Sequence, residues 1–396
     1  MSAPSAAWLA AAAKYGATPV FVYRLPDHGG YFASQKGHYP DGASEPYHAG
    51  IIVKGRLPVV TREIRDTLSG RIIVSIAEGT LVDAGEWDSG WGDYQTTLRG
   101  ARLHGYVTFP GLAWADAVFY LNARITELES TDRSRLRLTL QDATREATAA
   151  AWLPEGSATS ATLGSVVLAR LQAAGLVYPT DFDTAAWTAW TASGKPGAFV
   201  VTTTWTEGEL FDVLDGLLAG TLSIYGFTRE GKFTIRQFAD LAGSPTPDID
   251  LTTSGTLRQG GSMKTWQPVI RKETVKYNAG AASVSRTVNL STGHAWWPTA
   301  REAEPVDIGL TGSGDAGTLA SQRLLVSSAE RALCRVHTDA RPLGYDVGAI
   351  VKLAYGDHLL PDIAQQYHQV WRIVEDPNAG GVELGLITAL GAPPQP

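Results

Sequence analysis

Several groups of residues in this 396-residue chain have types and spacings that chemistry can use. The first is Gly312-Ser-Gly314-Asp-Ala-Gly317, a literal G-x-G-x-x-G that follows Val306-Asp-Ile-Gly-Leu310 and precedes a predicted helix. In a nucleotide-binding fold such glycines let a pyrophosphate approach a helix N-terminus. Here the run stands late in the chain and lacks the repeated strand and helix alternation of a doubly wound sheet. The acid nearest the expected offset, Glu330, falls inside the predicted helix, so the stretch reads as a flexible loop before a helix. A second group, His28, His38 and His48 with Asp27, Asp41 and Glu45 among them, offers imidazole and carboxylate ligands for a metal. Their spacing matches neither a helix nor a hairpin pair of ligands, and a metal needs converging, supported imidazoles. They read as solvated side chains of a long polar loop that can still serve as an interface.

The acids Asp83, Glu86, Asp88 and Asp93, interrupted by Trp87 and Trp91, raise the chemistry of a calcium loop or of paired glycosidase carboxylates. Their order does not fit D-x-[DN]-x-[DN]-G, and the reading is a turn with solvated acids. Twelve tryptophans are many, and adjacent Trp296-Trp297 and the Trp187/Trp190 pair raise carbohydrate stacking. Tryptophan also dominates interfaces and cores, and that explanation is the favoured one. Neither a G-x-S-x-G elbow nor a P-loop is present. Cys334 is the single cysteine, placed in the predicted helix, so one chain can build neither an internal disulfide nor a thiolate cluster. The residues thus assign no catalytic, cofactor-binding or metal site, and predict a non-enzyme without a cofactor.

The elements around these groups are mostly strands. Between Pro19 and Leu140, runs such as Val20-Phe-Val-Tyr23, Ile51-Ile-Val53, Ile72 to Ile76, Tyr94 to Leu98 and Val118 to Leu128 are separated by Gly, Pro, Asp and Ser clusters. Arg135-Leu-Arg-Leu-Thr-Leu140 alternates, placing leucines on one face of a barrel or strongly curved sheet. Ahead of them Ala6 to Ala13 reads as a short Ser5-capped helix; it lacks the basic flank of a signal peptide. From Ala150 helices are predicted over Thr162 to Leu176 with Gly175 as a stop, over Asp183 to Ser193, and over Thr206 to Leu218 with Thr206 and Glu209 as a capping box. A hairpin, Ser223 to Thr228 and Lys232 to Phe238, turns at Glu230-Gly231. After the linker-like Gly243 to Asp248 come strands at Val269 to Tyr277 and Ser283 to Leu290, and a helix from Thr318 to about Arg335. Strands follow at Ala349 to Ala354, Gln369 to Glu375 and Val382 to Thr388, and the tail from Gly391 reads as loose.

These elements predict a β-rich α+β multidomain chain: residues 1–149 with a first β-barrel domain, 150–242 a small α+β domain, and 243–396 a second β-barrel domain with one packed helix. Hydrophobic residues at 44% and charged residues at 18% allow large cores and exclude a disordered or fibrous chain. A net charge of -7, without a dense Lys/Arg run, argues against tight DNA binding. No apolar run approaches the roughly 20 residues of a membrane helix, and the expectation is a soluble protein folded in a reducing cytoplasm.

In this order the chain resembles phage baseplate hub proteins, tail proteins that form a trimeric ring under the tail tube. The resemblance is carried by Gly70-Arg-Ile-Ile-Val74 leading through Arg135 to Asp142, an alternating strand ending in an aspartate. It continues through Tyr178-Pro-Thr-Asp-Phe182, Gly197-Ala-Phe-Val200, Thr206 to Leu218 and Gly226-Phe-Thr-Arg-Glu-Gly-Lys-Phe-Thr-Ile235. It closes with Leu343-Gly-Tyr-Asp-Val-Gly-Ala-Ile-Val351, Val370-Trp-Arg-Ile-Val-Glu-Asp-Pro377 and Val382-Glu-Leu-Gly-Leu386. It implies two tube-like antiparallel β-barrel domains per chain around the inserted α+β domain, and a homotrimer that adapts a sixfold tube to a threefold tip while lining a DNA exit channel. The implied partners are the tail tube or distal tail protein, the tip or central fibre protein and the tape measure protein, in a virion tail tip assembled in the host cytoplasm. DNA passes without specific binding, and no membrane insertion is implied. The competing readings are a receptor- or carbohydrate-binding tail protein using Trp296, and a tail-associated hydrolase using the acids of residues 83 to 93.

Overall fold

The computed structural model describes residues 4–14, 18–27, 30–33, 57–66, 69–82, 98–132, 135–239, 241, 245–252, 257–259, 263–266, 269–288, 301–328, 331–339, 342–343, 345–353, 366–379 and 381–389. The predicted segments Ile51 to Val53 and most of Tyr94 to Leu98 lie outside them.

A first antiparallel sheet has the spatial order Gly30–Ala33, Val20–Leu25, Arg102–Thr108, Val118–Asp132, Arg135–Asp142, Gly79–Val82. Alternation decides its faces: Leu138 and Leu140 point into the core while Arg137 is exposed. The Ala6–Ala12 helix lies against it, with Ser5 accepting a bond from the Trp8 amide at 3.1 Å. Trp8 is fully buried and its indole donates to the Val107 carbonyl at 3.3 Å.

The C-terminal sheet is larger. Its spine runs Gly70–Ile76, Val60–Ile64, Gln366–Asp376, Gly381–Ala389, Arg331–Thr338, with Leu257–Gln259 and Met263–Trp266 on the last strand. Ile350–Leu353 pairs with Gln366–Asp376 and, on its other side, with Ile249–Leu251. The hairpin Ser223–Phe227 and Phe233–Gln237 joins the far edge through a short parallel pairing to Gly70–Ile76. Gly226 permits that approach, because a Cβ there would meet Ile72 at 2.9 Å, and Gly231 (φ +77) turns the hairpin. The two sheets are curled half-barrels, and the fold is a β-rich α+β multidomain one with tube-like barrel units.

A third, middle unit has a core of its own. Its sheet runs Gly156–Thr162, Val200–Trp205, Val306–Leu310, Ile270–Tyr277, Ala282–Thr287, so it draws on strands far apart in the chain. The Leu163–Ala173 helix is capped by Thr162, whose hydroxyl accepts from the Ser165 amide. It ends where Gly175 (φ +91) lets the Leu176 amide reach the Leu171 carbonyl at 3.0 Å, a Schellman closure. The Thr184–Trp190 helix and the Leu210–Leu218 helix complete the unit, with Leu210, Leu214, Leu217 and Leu218 buried as the apolar stripe requires.

Some expectations fail in instructive ways. The last helix spans Ser313–Ser327, starting and stopping earlier than Thr318 to Arg335. Gly312 and Gly314 meet no neighbour that would exclude them from a helix start, and Asp315 in the first turn complements the helix dipole. The glycine run is therefore the first turn of the helix. Residues 331–338 form a strand, with Cys334, Val336 and Thr338 inward and Arg335 and His337 outward, so Cys334 is a buried strand residue. A period of two there competes with helical spacing, and pairing along all eight positions with the final strand decides it. The Thr206/Glu209 capping box does not form either. The helix begins at Leu210 without a side-chain cap, because Gly208–Glu209 is drawn into a ladder with Trp152–Leu153.

Candidate functional site: a buried charged joint

The two curled sheets share one hydrophobic core, in which Tyr23, Tyr120 and Leu138 of the first sheet are continuous with Ile64, Ile373 and Leu384 of the C-terminal sheet. Into this apolar setting the chain places formal charges. Arg62 comes from the Val60–Ile64 strand, Arg229 from the hairpin turn, Asp346 from the loop before Ile350–Leu353, and Glu375 from the Gln366–Asp376 strand. Their side chains are 1 to 4% exposed.

Arg229 is the centre. Its guanidinium donates to a Glu375 carboxylate oxygen and to the Tyr345 carbonyl, and its Nε lies 3.5 Å from Asp346 Oδ1. Arg62 Nε approaches the same Asp346 oxygen at 3.7 Å. Burial works against the charge on Arg229, but Glu375 and Asp346 more than offset it and hold the guanidinium charged. The first sheet reaches the cluster through Tyr120, which hydrogen-bonds Tyr23 hydroxyl to hydroxyl. Burial holds the Tyr120 phenol far above its ordinary range, and Tyr23 and Glu375 add to the effect. Asp142 at the end of the Arg135–Asp142 strand is also raised by burial, with Arg62 pulling the other way.

Enclosed and charge-balanced, this arrangement holds parts together. Removing one member of a buried ion pair strands the other charge and costs about 3–5 kcal/mol, whereas an apolar replacement of the whole set can be neutral. The joint therefore makes the register of the hairpin, the Asp346 loop and two strands mutually conditional. Sequence reading missed it. The available signal was parity: Ile373 and Glu375 stand two apart on one strand, so a buried Ile373 demands a buried Glu375.

The residues singled out in the sequence distribute otherwise. His28, His38, His48, Asp41, Glu45, Asp83, Glu86, Trp87, Asp88, Trp91, Asp93, Trp296, Trp297 and Glu330 lie outside the described residues. Asp27 accepts a bond from the Arg102 amide at 3.0 Å. In the glycine run, the Asp315 carboxylate takes the Val200 amide at 2.9 Å. Trp187 and Trp190 are core residues, 6% and 1% exposed, and the Trp190 indole donates to Ser223 at 3.0 Å, so neither offers a stacking platform. Among the described residues no group of three or more His, Cys, Asp or Glu is arranged to hold a metal ion. No described helix is long and apolar enough to cross a membrane. A cavity of about 220 Å³ opens on the C-terminal sheet between His337, Asp376, Gly381 and Glu383, with His337 Nε2 at 3.7 Å from Glu383.

No protein-family profile and no curated protein sequence matches the chain. Solved structures do. In fold the chain is similar to the tail protein from Neisseria meningitidis MC58, with 11% identity over 95% of this chain and 98% of that one and a TM-score of 0.53. It is likewise similar to prophage tail protein gp18 from Listeria monocytogenes EGD-e, at 11% identity, 95% of each chain and a TM-score of 0.51. A third is the 43 kDa tail protein of prophage MuSo2 from Shewanella oneidensis, at 13% identity, 93% and 98% coverage and a TM-score of 0.50. What the chain shares with these tail proteins is the fold over nearly its whole length.

Proposed function

We propose that the protein is a structural component of a phage tail, the baseplate hub, in which copies of this chain form a homotrimeric ring. The observation that carries this reading is the pair of curled half-barrels locked to one core, in a fold shared along 95% of the chain with a prophage tail protein. A half-barrel leaves unpaired strand edges, and neighbouring copies are a direct way to close them. Two half-barrels per chain in three chains present six similar faces to a sixfold tube and three different ones to the tip.

In this reading the ring contacts the tail tube or distal tail protein above, the tip or fibre protein below and the tape measure protein within, and DNA leaves through its channel. The chain has a supporting and not a catalytic role, in the virion tail tip, after assembly in the host cytoplasm. Its net charge of -7 suits a channel that DNA crosses without sticking, since phosphate affinity comes mainly from Lys and Arg. Light scattering across a wide concentration range, with electron micrographs of the particles, tests the proposal. Threefold rings with a central hole are expected; a compact monomer at every concentration counts against self-assembly.

A further inference from the structure

His368 is a buried imidazole that the charged joint does not use. It is 1% exposed and sits in the Gln366–Asp376 strand between Val351 on one neighbour and Thr388 on the other. Among the described residues neither ring nitrogen has a hydrogen-bond partner. A neutral imidazole tolerates such a site at a cost, while an imidazolium there is a buried charge without a counter-ion among the described residues. No Asp, Glu, Lys or Arg among the described residues contributes to its proton affinity, and burial alone lowers the pKa to about 4.

The same strand carries the contacts that bind separate parts of the chain. Next to His368, the Gln369 side chain accepts from the Ala239 amide at 3.0 Å and donates to the Gly348 carbonyl at 3.2 Å, tying the segment after the hairpin to the sheet. Further along, Arg372 lies 3.2 Å from Glu383 and 3.5 Å from Glu63, and Glu375 holds Arg229. Displacing this strand at His368 strains each of these in turn.

We propose that His368 is an acid-sensitive latch: when its imidazole takes a proton, the Gln366–Asp376 strand leaves its slot and the C-terminal sheet loosens from the hairpin, while the middle sheet stays closed. The sign follows from linkage. The folded state binds the proton less readily than the open chain, so stability is full above pH 6.5 and falls as the pH drops toward 4. Between pH 7 and pH 5 the ratio of open to closed sheet rises about twentyfold. The inference does not depend on the hub reading.

Hydrogen exchange on the full chain at pH 7 and pH 5, corrected for intrinsic rates, tests it. Peptides covering 366–376 and 381–389 are expected to lose protection about twentyfold, those covering 200–205 and 270–277 to keep it, and His368→Phe to abolish the difference. A pH effect equal in both regions, or one that persists in His368→Phe, overturns the proposal. If that variant does not fold, NMR titration of the wild-type imidazoles decides. The imidazole assigned to His368 titrating near pH 4 supports the latch, and the same imidazole titrating near 6.5 overturns it.

Discussion

The core under the curled sheets and the core of the middle unit are held in different ways. The first encloses Arg62, Arg229, Asp346 and Glu375 among aliphatic side chains and a tyrosine pair. The second is mainly apolar: Phe182, Trp187, Trp190, Phe199 and Phe233 mingle with the leucines of its helices, and its buried carboxylates stand in separate places, Glu273 paired with Arg323 at 2.9 Å and Asp183 accepting from the Ala186 amide at 3.2 Å. An apolar core tolerates repacking because contact is non-directional. A buried charge cluster accepts one arrangement, since every departure leaves a desolvated charge. The difference teaches that the middle unit rests mainly on burial, whereas the hairpin, the Asp346 loop and two strands of the C-terminal sheet are coupled through a charge cluster whose members are costly to remove singly.

Breaking the joint gives the largest expected effect. Arg229→Ala should cost about 4 kcal/mol in chemical denaturation, because Glu375 and part of Asp346 lose their partner. Replacing Arg229 with Met and Glu375 with Leu together should recover most of that loss, and a double variant as unstable as the single one would refute the charge argument. In the middle core Leu214→Ala should cost about 3 kcal/mol, with the same value at low and high salt. Thr162→Ala, which removes a helix cap in the same unit, should cost about 1 kcal/mol and leave the far strands' hydrogen exchange unchanged. Arg137→Ala, at an exposed pair with Glu78 and Glu129, should leave the denaturation midpoint within error. A large shift there would mean that the comparison has missed a contact made in assembly.

Much of the local structure was legible. The Ser5-capped helix, the Glu230-Gly231 hairpin, the alternating Arg135–Asp142 strand and the stop at Gly175 follow from caps, turn residues and period, which act over a few neighbours. The end of the helix begun at Thr318 was not legible, because Arg331–Thr338 can satisfy either periodicity until the final strand pairs with it. The joint was hidden for the same reason. Arg229 lies in a turn and Asp346 in a loop, positions where charge is ordinary on a surface, and only the packing of that turn against Glu375 and the Asp346 loop takes them out of water.

By itself, then, the sequence determined most element types, their order and the inward face of the alternating Arg135–Asp142 strand, since these depend on backbone sterics and on where apolar groups repeat. Tertiary structure alone decided which strands share a sheet and which charges become buried. Sheet partners are chosen over hundreds of residues, as in the Val60–Ile64 strand lying beside Gln366–Asp376, and the free energy of a charge depends on the dielectric that the finished packing creates around it.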